Sequence, residues 1–95
     1  MSNSILKQYI HFDQNDMTLN EPYIIGHRIK VKDIVIWSEI KGMSLDQIAN
    51  EYRLNLAEIH AALSFYFENK SLIDDLIMHD EDLIETMKKQ IKSKI

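Results

Sequence analysis

The sequence contains no cysteine, a single proline and two glycines. Without thiols there is no disulfide, no thiolate nucleophile and no zinc site of the finger type, which suits a reducing cytoplasm. Gly26 and Gly42 are too few for a phosphate-cradling loop, whose common forms need several glycines. Long apolar runs are missing as well. The longest is Ile34-Val35-Ile36-Trp37, far short of the ~20 residues of a membrane-spanning helix. The first residues also lack the apolar block of a secretory signal. Basic residues are in the minority, with a net charge of −4. Residues 1–70 carry seven Lys/Arg against nine Asp/Glu, and residues 71–95 carry four against six. No basic domain is joined to an acidic one, so nucleic-acid binding would need a local cluster of cations.

What remains is ordinary globular material. Hydrophobic residues make up 45% and charged residues 27% of 95 positions, which argues against disorder and for one small domain. A chain of this size hides only about two-thirds of its unfolded surface.

Residues 1–8 carry no strong signal and read as an N-terminal arm. Tyr9-Ile10-His11-Phe12 reads as a short strand, followed by a polar turn at Asp13-Gln14-Asn15-Asp16. Pro22 with Tyr23-Ile24-Ile25, and His27 to Val31 beyond Gly26, suggest one or two more short strands. In an extended strand Arg28, Lys30 and Lys32 would share one face. Asp33 reads as the N-cap of a first helix that buries Ile34, Trp37 and Ile40 on a face broadened by Val35 and Ile36, and Gly42 reads as its left-handed terminator. Ser44 and Gln47 form a capping-box pattern opening a second helix with Leu45, Ile48, Ala49 and Tyr52 inward. Met43 is placed to staple against that helix. Asn55 and Glu58 repeat the box and open a third helix, with Leu56, Ile59, Leu63 and Tyr66 inward. Ser71 and Asp74 mark a restart. From there Leu76, Ile77, Ile84, Met87 and Ile91 describe an amphipathic segment, and Lys88, Lys89, Lys92 and Lys94 suit its C-terminal end. The predicted architecture is mainly α. It has a three-helix helix-turn-helix (homeodomain-like) core over 9–70, a small N-terminal β element, and a C-terminal amphipathic helix over 71–95.

Several blocks in order resemble one bacterial family. They are Ile24-Ile25-Gly26-His27-Arg28-Ile29-Lys30-Val31, Gly42-Met43-Ser44-Leu45-Asp46-Gln47-Ile48, Tyr52-Arg53-Leu54, and Leu56-Ala57-Glu58-Ile59-His60-Ala61-Ala62-Leu63. The family is the domain of unknown function 433, and the resemblance covers about residues 10 to 70. Its members are viewed as VapB-type antitoxin-like proteins, often encoded beside a toxin of the PIN-nuclease class. The resemblance implies an antitoxin that sequesters a toxin ribonuclease and binds its own promoter.

The residues give their own weighting. Arg28, Lys30, Lys32 and Arg53 are the candidate phosphate contacts, with Asn55, His60 and Ser64 as further DNA-contacting candidates. A recognition helix needs Arg, Lys, Asn or Gln toward the bases. The outward side of the third helix is expected to offer Ala57, Glu58, Ala61, Ser64, Phe65 and Glu68 instead. The apolar strip Ala57, Ala61 and Phe65 suits close helix packing, so it joins Leu76, Ile77, Ile84, Met87 and Ile91 as a candidate partner or dimer interface. No two histidines fall at i, i+4, and His60 four residues before Ser64 has no orienting acid, so no catalytic or metal site is assigned. The acidic run Asp74, Asp75, Asp80, Glu81, Asp82 and Glu85 lacks the spacing and glycine of a calcium loop. No cofactor, membrane or small-molecule substrate is expected. Two functions follow: an autoregulatory, toxin-neutralising cytoplasmic antitoxin, or a dimeric structural or adaptor domain that binds neither DNA nor toxin. A homodimer is the default in both, since dimers are the commonest assemblies.

Overall fold

A computed structural model of the chain describes residues 2–13 and 21–79. The chain opens with helix α1 (Ser2–Tyr9), where the sequence pattern predicts only an arm. Leu6 is buried in the core, and the helix packs against the long helix described below. Its stability is borrowed from that contact, because eight residues do not hold a helix in water alone. Strand β1 (Ile10–His11) then pairs antiparallel with β2 (Tyr23–Ile24), with Ile10 opposite Ile24 and His11 opposite Tyr23. Ile10 and Ile24 point into the core, while Tyr23 and His11 meet outside with ring centroids 5.1 Å apart and planes tilted by 33°.

The predicted return strand forms only in part. Pro22–Ile24 is paired by Ile24 N–H to Ile29 O at 2.9 Å and Val31 N–H to Pro22 O at 3.0 Å. Gly26, at φ +85°, makes the turn between them. Helix α2 (Val31–Val35) begins at once, so Arg28, Lys30 and Lys32 do not share one face of an extended strand. Asp33 is not the N-cap. It lies in the first turn and its carboxylate accepts from Lys30 N–H at 3.0 Å, while Lys30 occupies the extended cap position.

From Ile36 to Ile40 the helix widens to the π form, with Lys41 N–H reaching back to Ile36 O at 2.8 Å. Ser38 Oγ donates to Ile34 O at 2.9 Å within the same turns. Each residue then advances less around the axis than in an α-helix. That rotation corrects the expected buried face at one position: Ile34, Val35 and Ile36 are buried as expected, but Ile40 stands 51% exposed. Trp37 comes to stack flat on Tyr52, with centroids 3.7 Å apart and planes within 3°. Gly42, at φ +71°, ends the helix as predicted, and Met43 N–H closes the last turn on Trp37 O at 2.9 Å.

Helix α3 (Leu45–Tyr52) starts at Ser44, whose Oγ accepts from Gln47 N–H at 3.1 Å. The Gln47 side chain donates to Glu51 at 3.4 Å. Ile48 faces the core, and Leu45, Ala49 and Tyr52 pack at its edge. Arg53 breaks the helix in the left-handed region (φ 56°, ψ 42°), a conformation that usually calls for glycine. After buried Leu54, Asn55 caps helix α4 (Leu56–Glu68) with both halves of the box formed. Glu58 N–H donates to Asn55 Oδ1 at 2.8 Å, and Asn55 N–H donates to Glu58 Oε1 at 2.9 Å.

Helix α4 is central, packing against α1, α2, α3 and helix α5 (Lys70–Met78). It buries Ile59, Ala61, Ala62, Phe65 and Tyr66. Small Ala61 and Ala62 give neighbouring helices room to approach, and Phe65 meets Phe12 at a 4.7 Å ring separation. Asn69, not Ser71, separates α4 from α5. Helix α5 buries Ile73 and Ile77 in the same core, so residues 70–78 are part of the domain and not a free tail. Among the described residues no helix is long and apolar enough to cross a membrane.

Tyr66 ties α4 to α5 by donating its hydroxyl to Asp74 Oδ1 at 2.8 Å. Burial raises the phenol pKa above its ordinary 10.0, and the hydrogen bond and negative charge of Asp74 raise it further, against the opposing Lys70. The fold therefore favours the protonated phenol. Its contribution to stability is whole below pH 10.0 and is lost as pH rises through the elevated folded-state value. Tyr66→Phe should flatten the alkaline limb of a melting-temperature profile; an unchanged limb would show that Tyr66 does not titrate with unfolding.

Candidate functional site

Two surfaces compete for a functional role. The first is the cationic region around β2 and α2. Glu21 sits between two of its cations, with Oε1 2.9 Å from Lys32 Nζ and Oε2 3.2 Å from Lys30 Nζ. Lys32 is largely buried in this arrangement. The lysines therefore serve first to clamp the segment entering β2 against α2. His27 Nε2 lies 3.2 Å from Glu58 Oε2, which joins the turn after β2 to the first turn of α4. Glu58 thus does two jobs, one oxygen capping the helix and the other holding His27. An open hollow of about 260 Å³ is lined by Tyr23, His27, Arg28 and Lys30. Arg28 is exposed beside it, and Arg53 is exposed at the α3–α4 turn.

Sequence reasoning missed both carboxylate contacts. Neither has a local signature, since Glu21 and Glu58 reach their partners only once the chain has folded back.

The second surface is the outward side of α4. Asn55, Leu56, Ala57, His60, Ser64, Phe67 and Glu68 are exposed and Leu63 is half-buried. Leu56, His60, Leu63 and Phe67 follow the i, i+4, i+7, i+11 spacing of one helix face. Leu56 is 43% exposed and Phe67 62% exposed. This corrects the predicted strip: Ala61 and Phe65 are buried in the chain's own core and are not presented to a partner, and Leu56 is outside, not inside. The reason is that α4 is apolar around most of its circumference, so its sequence does not fix which side is covered. Neighbours on several sides decide it. Asn55 spends its side-chain oxygen on the cap, leaving exposed His60, Ser64 and Glu68 as the polar side chains of the face.

The remaining interface candidates divide. Ile77 is buried and Leu76 half-buried against the core, so neither forms an open partner face. Ile84, Met87 and Ile91 lie outside the described residues, as do Asp80, Glu81, Asp82 and Glu85.

Fold and surface define a mainly helical domain with a two-stranded antiparallel ribbon and an apolar outer helix face. Residues 5–66 match the family model described as "Protein of unknown function (DUF433)", and the chain belongs to that family. No curated protein and no solved structure matches it.

Proposed function

We propose that this chain is a non-catalytic binding protein of the antitoxin kind, working in the cytoplasm by protein–protein contact. One observation carries the reading: the outward face of α4 presents Leu56 and Phe67 with His60 and Ser64, and no lysine or arginine. A surface of this chemistry suits another protein far better than a phosphate backbone. We read α3, the three residues 53–55 and α4 as a helix-turn-helix used for assembly rather than for reading bases. Promoter DNA is a secondary partner in this reading, held by exposed Arg28, while Lys30 and Lys32 are engaged by Glu21. The toxin identity follows the family resemblance, which points to a PIN-class ribonuclease.

The test is RNA cleavage by a PIN-class ribonuclease encoded beside this chain, with and without an equimolar amount of the purified protein. Neutralisation should abolish cleavage. Cleavage that continues unabated would favour the adaptor reading, in which the same face joins proteins without a toxin.

A further inference from the structure

We propose that the outward face of α4 is the interface with a second copy of this chain, the two helices packed antiparallel about a two-fold axis between His60 and Ser64. The proposal rests on the reading of that face as protein-binding and makes a second copy its occupant, so that a toxin would meet the paired chains on another part of their surface.

The face is self-complementary under such an axis. Its large residues stand at opposite ends, Leu56 at the start of α4 and Phe67 near its close, about 16 Å apart along the helix. Small Ala57 and Ser64 are exposed beside them. Reversing a second helix lays Phe67 of each copy over Ala57 of the other, a large side chain against a small one. It sets His60 opposite Ser64, where hydroxyl and imidazole can hydrogen-bond.

Charge follows the same symmetry. Arg53 is exposed at the approach to the N-terminus of α4, and Glu68 is exposed at its C-terminus. A parallel pairing would place like charges together. The antiparallel pairing brings each Arg53 to the end that carries the other copy's Glu68 and also opposes the helix dipoles favourably. A point-group dimer of this kind buries the same patch twice and leaves no open end. With one helix of about 20 Å per copy, the contact falls below the about 1,200 Å² of standard interfaces, among weak and transient pairings. Micromolar dissociation is therefore expected.

Sedimentation equilibrium on the full chain, over a micromolar-to-millimolar series, should show a monomer–dimer equilibrium. Phe67→Glu should weaken it by about tenfold or more, with an unchanged circular dichroism melt showing that the fold is intact. Arg53→Glu and Glu68→Arg should each weaken pairing, and the double variant should restore it. A monomer throughout, or a dimer that Phe67→Glu leaves intact, overturns the proposal; the second result would place the contact elsewhere, the segment after His79 included. Failure of the double variant to recover overturns the antiparallel register. A monomer that still silences the ribonuclease sinks this inference alone, and a dimer of the described kind that fails to silence it sinks the antitoxin reading alone.

Discussion

Phe65→Ala should lower the unfolding free energy by about 3–5 kcal/mol, the usual loss for emptying a buried phenylalanine site. Phe67→Ala, two positions along the same helix, should change it by no more than about 0.5 kcal/mol. The difference comes from position alone. Phe65 is 1% exposed, packs on Phe12 and lies where α4 is covered by its neighbours, while Phe67 is 62% exposed and touches the Tyr66 ring at a 5.2 Å centroid distance. Urea denaturation of both variants checks this, since the midpoint reports stability directly when the slope is unchanged. Equal losses would mean that α4 is rotated from the orientation described.

Ending the chain after Lys70 should abolish the cooperative unfolding of the full chain. The shorter chain loses Ile73 and Ile77, each worth roughly 1.5–3 kcal/mol of burial, and uncovers the part of α2 that α5 packs against. It also loses Asp74, the partner of the Tyr66 hydroxyl. Small domains hold roughly 0.05–0.15 kcal/mol of stability per residue, so the combined loss approaches the whole. Thermal melts followed by near-ultraviolet circular dichroism separate the two chains, because the stacked Trp37 and Tyr52 supply a tertiary signal. A sharp melt from the shorter chain would show that α5 is dispensable.

Those two results mark where the sequence was legible. Local rules with fixed spacing transferred well. Ser44 and Asn55 cap the helices they were expected to cap, Gly42 adopts the left-handed turn, and short paired strands form within Tyr9-Ile10-His11-Phe12 and Tyr23-Ile24-Ile25 as expected. Each depends on residues within a few positions of one another, and so survives without knowledge of the neighbours. The first helix was invisible because residues 2–9 span barely two turns, too short a pattern to read alone, and become helical through contact with α4. The start of α2 was misplaced by three residues because an aspartate serves equally well as a cap or as a first-turn acceptor.

For the binding surface, the sequence by itself determined the chemistry available: few segregated cations, no thiols, and an apolar helix following the Asn55 cap. Tertiary structure decided which of that chemistry faces outward. Glu21 drew Lys30 and Lys32 inward, the π turn rotated Ile40 out, and the helices around α4 covered Ala61 and Phe65 while leaving Leu56 and Phe67 bare. A helix apolar on nearly every side has no preferred face until its neighbours are in place. Only long-range packing could choose between Phe65 and Phe67.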